Sequence, residues 1–207
     1  MKTYLTTIFL FISILCFSQT EEIKTYYENG KVKFEGSLIN GKKNGTFKKY
    51  HYNGQLSEEY ILVDGKKSGI YKSYKSNGWK KEEKEYLNGT LHGFWKKYDY
   101  DQLVYLGNFM NNEKNGVFKT FDIVSFDGTI SPQIRSVINY KNGILHGVYK
   151  TYDKNGELTC EVNYVNEIFH GHFFQKDRKE GLYDNGIKNG IWKEYYTNGK
   201  LRFEGNY

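Results

Sequence analysis

The 207-residue chain contains no alanine and a single proline, Pro132. Alanine is the strongest helix former, so its absence argues against a helical protein. Short chemical signatures are missing as well. There is no G-x-S-x-G elbow, no H-E-x-x-H zinc pair, no phosphate-cradling P-loop and no EF-hand loop. Aliphatic residues are thin. What is abundant is glycine (22), tyrosine (20) and phenylalanine (14). That composition favours strands and turns. It places the apolar surface on large rings, many with polar tips that suit half-wet positions. The net charge of +6 comes from lysines and glutamates interspersed along the chain, which reads as a soluble surface rather than a nucleic-acid footprint.

The first segment, MKTYLTTIFLFISILCFSQ, pairs an early positive charge (Lys2) with an apolar run from Ile8 to Phe17. The run is too short for a comfortable membrane span. Cys16 and Ser18 put small residues at the −3 and −1 positions of a cut after Ser18, the pattern of a secretory leader over residues 1–18. A lipid-modified Cys16 is the rival reading, and Leu15 weakens it because a small residue is expected there. Cleavage would leave Cys160 as the one thiol, so no internal disulfide could form. The expected location is therefore outside the cytoplasm, in the periplasm, at the surface or secreted.

Residues 19–207 read as one unit said about seven times. NGTFKKY at Gly45 returns as SGIYKSY (Gly69), HGFWKKY (Gly93), NGVFKTF (Gly116), HGVYKTY (Gly147), HGHFFQK (Gly171) and NGIWKEY (Gly190). A second phrase, NGKVKFEG from Asn29, reappears almost unchanged as NGKLRFEG from Asn198. The chain holds twelve Asn-Gly and two Asp-Gly pairs. Asn-Gly is the strongest short hairpin signal, since both residues tolerate the positive φ of a type I′ turn. The sequence therefore predicts type I′ turns at pairs such as Asn53-Gly54, and longer glycine-bounded turns such as Asp64 to Gly69 on the other edge. After each Asn-Gly turn the residues alternate: Val32, Phe34 and Cys160 are apolar, while Glu35, Glu59, Glu83, Glu161 and Glu204 recur on the other side. In the other strand Phe47 and Tyr50 are three apart, so either both faces carry rings or a bulge re-aims one of them.

NGTLHGFWKKY (Asn88 to Tyr98) and NGILHGVYKTY (Asn142 to Tyr152) resemble the MORN repeat. The longer unit is similar to the variant found in bacterial proteins labelled YwqK-type antitoxins. The resemblance covers about residues 25–207. It implies an all-β fold: an elongated antiparallel meander of stacked hairpins forming a single-layer sheet. It also implies a scaffold role in protein or membrane-lipid contact, and it carries no catalytic residues.

Several residues invite chemistry. His92, His146 and His170 each precede a repeat glycine, where other copies have Asn44, Ser68, Asn115 or Asn189. Equivalent positions lie two strands, about 9–10 Å, apart, which is awkward for one zinc holding nitrogens at about 2.0–2.1 Å. A structural role is expected, with no metal and no cofactor. Cys160 aligns with Phe34 and reads as an inert thiol on the apolar face. The glutamates read as a solvated face, meeting Lys33, Lys81 or Arg202 across strands rather than forming a catalytic pair. Lys42-Lys43 and Lys66-Lys67 read as solvated turns. The unit after Gly116 is lengthened by residues 122–136, which contain Pro132. A longer hairpin is the simplest account, and insertions in repeat proteins often map to a binding face.

The expected function is an exported, non-enzymatic scaffold that binds a protein or cell-envelope component, with no nucleic-acid partner. Trp79, Trp95, Trp192 and Pro132 are the candidate binding surface. Two other classes stand beside it: a carbohydrate- or envelope-binding module using those exposed tryptophans, and an antitoxin or immunity partner of a toxin.

Overall fold

The computed structural model describes residues 19–126 and 129–207, and the leader and lipidation readings concern residues outside that range. All regular structure among the described residues is extended: 19 strands in one sheet, from Thr20–Tyr26 to Leu201–Asn206. Each full-length strand between the first and the last pairs antiparallel with the full-length strands before and after it in the chain, and the two-residue segments Lys42–Lys43, Lys66–Lys67 and Glu113–Lys114 pair only with the strand before them. The first and last strands do not pair with each other, so the sheet is an open meander with two end strands.

The two long edges carry different turns, and the expected assignment is reversed. At Asn88-Gly89 both residues have positive φ (50° and 87°), and the strands close directly across them, Leu87 opposite Thr90. The same two-residue type I′ turn stands at Asn40-Gly41, Asp64-Gly65, Asn142-Gly143 and Asn185-Gly186. At Asn53-Gly54 only the glycine is left-handed. Gly54 N–H donates to the His51 carbonyl at 2.8 Å, and His51 N–H donates to the Gln55 carbonyl at 2.8 Å. The Asn53 side chain accepts from Gln55 N–H at 3.0 Å. An Asn that holds its own loop through its side chain has no need of the left-handed region.

A third use of the dipeptide lies inside the strands. At Asn44-Gly45 the ladder breaks between Lys42–Lys43 and Gly45–Tyr50, with Gly45 at φ 90°. Every other repeat glycine named above also has positive φ. One extra residue per strand bends it and raises its twist. The register shifts again between Lys49 and Tyr50, and the Tyr50 hydroxyl donates to Glu35, which faces Lys48, so Phe47 and Tyr50 point to opposite faces. Both faces carry rings, which answers the question of their spacing.

One face holds the core. Phe34, Phe47, Tyr60, Tyr71 and Tyr86 follow one another across consecutive strands, with neighbouring centroids 5.6–6.3 Å apart. Two further runs lead from Trp95 through Phe118 to Tyr140, and from Tyr164 through Phe173 to Trp192 and Tyr207. Phe47 and Trp192 are fully buried. A single sheet can bury them because a glycine on the preceding strand leaves a seat. A Cβ on Gly36 would lie 2.2 Å from the Phe47 ring, and one on Gly181 would lie 2.4 Å from Trp192.

Departures in unit length have local causes. The spacing from Gly93 to Gly116 is 23 residues, one fewer than from Gly45 to Gly69 or from Gly69 to Gly93, because a two-residue turn at Tyr100-Asp101 replaces the longer loop. Residues 122–136 are mostly an extended hairpin: Asp122 faces Gln133 and Ile123 faces Pro132. The next strand begins to pair only at Ser136, so Pro132 sits on a free strand edge, where its missing N–H costs no ladder bond.

Candidate binding faces

The ring face is closed by its own side chains. The residue two before each repeat glycine is Lys43, Lys67, Lys114 or Lys188 in four copies, and each ammonium lies over rings. Lys67 stands 4.2 Å from the Tyr71 centroid, Lys114 4.4 Å from Tyr140, and Lys188 4.6 Å from Trp192. Burial holds the Lys67 ammonium below the usual lysine range. Lys43 and Lys67 are thus not free turn charges: the bulge folds their stems back over the rings, where the quadrupole attracts the cation. Leu91, Leu145 and Phe169 fill the same position in the other copies.

The opposite face carries a charge ladder. Directly facing residues on consecutive strands read Lys24, Glu35, Lys48, Glu59, Lys72, Glu83, Lys96. The glutamates therefore meet these lysines, not Lys33, Lys81 or Arg202, because the strand register sets the third residue after each repeat glycine opposite them. Salt bridges join Lys24 to Glu35 at 3.0 Å and Lys72 to Glu59 at 3.6 Å. Tyrosines reinforce the ladder: the Tyr98 hydroxyl donates to Glu83 at 2.8 Å and Tyr195 to Glu180 at 2.6 Å. The hydrogen bonds from Tyr50 and Lys24 hold the Glu35 carboxyl below its usual range. Burial, and then the bond to Glu35, push the Tyr50 hydroxyl up to about 12.

In the middle of the sheet the ladder changes character. The facing residues become Lys96, Leu106, Lys119, Val137, Lys150, before Glu161 restores a pair with Lys150 at 3.0 Å. Lys119 has an aliphatic neighbour on either side. Exposed aliphatics on this same face, Ile61, Ile70, Val117 and Ile191, run beside the ladder. Thr46, Glu59, Ile61, Ile70 and Lys72 line an open hollow of about 450 Å³.

The expected surface residues do not form one site. Trp192 is buried in the ring face, its Nε1 donating to the Leu182 carbonyl at 2.9 Å, so it is withdrawn as an exposed ring. The Gly181 seat is what admits it. Trp95 lies half-buried on the ring face, with Nε1 donating to Glu82 at 3.0 Å and Lys84 and Lys97 at 4.5 and 4.4 Å. Trp79 is exposed in a loop on one long edge, 5.4 Å from Tyr100. Pro132 lines a cleft of about 540 Å³ between the extended hairpin and the loop containing Lys154 and Asn155.

The histidines serve the turns. His92 Nδ1 lies 3.3 Å from Asn111 Oδ1, and His146 Nδ1 lies 3.4 Å from Asn166 Oδ1, each partner opening the next turn. Asn185 N–H, again at a turn, donates to His170 Nδ1 at 3.5 Å. In another copy Asn44 Oδ1 accepts from Asp64 N–H at 2.8 Å, the same contact made with a shorter side chain. Cys160 packs half-buried against Val162, Phe173 and Trp192, and burial pushes its thiol up. The charge ladder was missed in the sequence because only register reveals which lysine faces which glutamate. Its signal was the recurring lysine three residues after the repeat glycine.

A family model described as MORN repeat variant matches residues 22–40, 43–62, 67–88, 145–166 and 188–207. The unmatched central stretch holds the shortened turn and the extended hairpin. No curated protein matches the chain.

Proposed function

The chain belongs to the MORN repeat variant family, whose repeats generally build binding scaffolds, and from that premise we propose that it is an exported, non-enzymatic scaffold whose ladder face binds an acidic protein or envelope component. One observation carries the choice of face. The ring face satisfies its own rings with lysines, whereas the ladder face leaves Lys119 between Leu106 and Val137 with exposed aliphatics alongside. A cationic and apolar strip of this kind complements a partner that offers carboxylates or phosphates beside an apolar surface. The leader-like residues 1–18 support the exported location.

The test is retention of native envelope components on the immobilised protein. Lys119→Glu combined with Val137→Asp is expected to abolish retention while leaving the circular dichroism unchanged. Unaltered retention would overturn the assignment of this face. A second reading is favoured by the Trp79–Tyr100 pair and the exposed Tyr52 on one long edge, rings of the kind that stack on sugars. Binding to an insoluble glycan that is lost in Trp79→Ala with Tyr52→Ala, but kept in the Lys119 variant, would establish that reading instead.

A further inference from the structure

We propose that copies of this chain join head to tail, the last strand of one copy pairing antiparallel with the first strand of the next, so that the sheet continues across the junction. The proposal stands whatever the ladder face binds.

The geometry of the ends leads to it. Thr20–Tyr26 and Leu201–Asn206 each have one strand partner among the described residues, on the inner side. Both are largely exposed. Unpaired N–H and C=O groups along such strands are templates for another chain, and natural edges are usually guarded by proline, bulges or isolated charge. Neither end strand contains proline.

The two ends are also consecutive parts of one repeat. The last hairpin is a copy of the first: Trp192 faces Gly205 as Ile23 faces Gly36, and NGKLRFEG copies NGKVKFEG. Inside the chain, the strand after the first hairpin docks with Phe34 facing Lys49 and Glu35 facing Lys48. Carried one molecule on, the same register sets Phe203 opposite Thr25 and Glu204 opposite Lys24 of a second copy.

Two independent features fit that register. The charge ladder starts at Lys24 and ends with Lys193 facing Glu204. Joining tail to head therefore continues the alternation, whereas joining two heads or two tails sets like charges together. The second feature is a seat. Gly36, Gly107 and Gly181 are each covered by a ring from the following strand: Phe47, Phe118 and Trp192. Among the described residues Gly205 has no following strand beside it, and Phe203 of its own strand lies over it, with Cζ 2.5 Å from where a Cβ would be. Phe203 is 44% exposed and free to swing aside. In the junction, Ile23 stands where Phe47 stands inside the chain. A heterologous contact of this type repeats, giving filaments or rings rather than a closed two-fold dimer.

The experiment measures association by sedimentation velocity across protein concentration. The wild type is expected to grow with concentration. Glu204→Lys and Lys24→Glu should each raise the concentration for half association roughly five- to tenfold, as attraction between facing charges turns to repulsion. An equimolar mixture of the two variants should recover association, because every mixed junction is again complementary. Lys24→Glu also faces Glu35 and could fray the first strand, so a second measurement stands beside it. Thr25→Cys with Phe203→Cys, in a Cys160→Ser background, should give a covalent ladder of multimers on oxidation, while Thr25→Cys alone should not dimerise. A monomer at all concentrations, or dimers from the single Thr25→Cys variant, would overturn the proposal.

Discussion

The two faces of the sheet are built from the same strands, residue by residue in alternation, yet they are stabilised by different physics. On the ring face, side chains from neighbouring strands overlap and reach full burial at Phe47 and Trp192. On the ladder face, the charges meet their facing partners and nearby tyrosine hydroxyls and stay partly wet, as with Glu59 and Lys72 at 29% and 37% side-chain exposure. A single-layer sheet is therefore asymmetric: one side does the work of a core, and the other is free to vary. Stability should reside on the first and recognition on the second.

The sharpest way to break this comparison is to take one ring out of its seat, or to fill the seat. Phe47→Ala is expected to cost about 3–5 kcal/mol, the usual range for a buried phenylalanine. Gly36→Ala should cost about 1–3 kcal/mol through overpacking against that ring. Strand propensity alone would make the glycine-to-alanine change favourable, so its sign is informative. Denaturant midpoints check both. A stabilised Gly36→Ala variant would mean that the ring has room elsewhere and the face is not a packed core.

The same comparison shows what could be read from the sequence. The meander, the period-2 alternation and the longer hairpin at residues 122–136 were legible because they depend on spacing alone. The turn types were not. Twelve identical Asn-Gly pairs occupy three environments: two-residue turns, longer loops and mid-strand bulges. Asn is left-handed only in the first, and the dipeptide cannot say which applies, because hydrogen bonds to residues on either side decide it. Burial of Trp192 was hidden for a related reason. A tryptophan in a polar stretch looks exposed until register brings Gly181 beneath it. The histidines were legible as structural, since asparagine fills the same position elsewhere.

The comparison sharpens where a ring crosses to the ladder face. Tyr50→Phe removes the hydroxyl that donates to Glu35 and is expected to cost roughly 1 kcal/mol near neutral pH. The Glu35 carboxyl is held low when folded, so its contribution is present above pH 4.5 and is lost as pH falls through the lowered value. The Tyr50 hydroxyl is raised, so its contribution is present below pH 10 and is lost as pH rises through about 12. Both slopes should flatten in the variant. Melting midpoints across pH, with tyrosinate absorbance for the alkaline limb, measure this. An unchanged alkaline limb would place the high-pH loss on Tyr71, a ring-face residue that burial also pushes up to about 12.

The smallest expected effect asks whether the ladder is a network or a set of separate pairs. Exchanging the two charges of one rung, Glu59→Lys with Lys72→Glu, keeps that salt bridge intact. It also sets the new lysine opposite Lys48 and the new glutamate opposite Glu83. If pairs act alone, the double variant should melt with the wild type. If facing charges act along the whole ladder, two like-charge contacts appear, each costing roughly 0.2–1 kcal/mol. The loss should shrink in high salt, since the Debye length falls from about 10 Å at 0.1 M to about 3 Å at 1 M. We expect the loss, and we expect salt to reduce it, because from Glu35 to Glu83 the register places each charge between two opposite ones rather than beside a single partner. Phe47 is held in its seat on Gly36 by packing rather than by charge, so the Phe47→Ala defect should depend little on salt, and a salt-sensitive Phe47→Ala defect would erase the distinction between the faces.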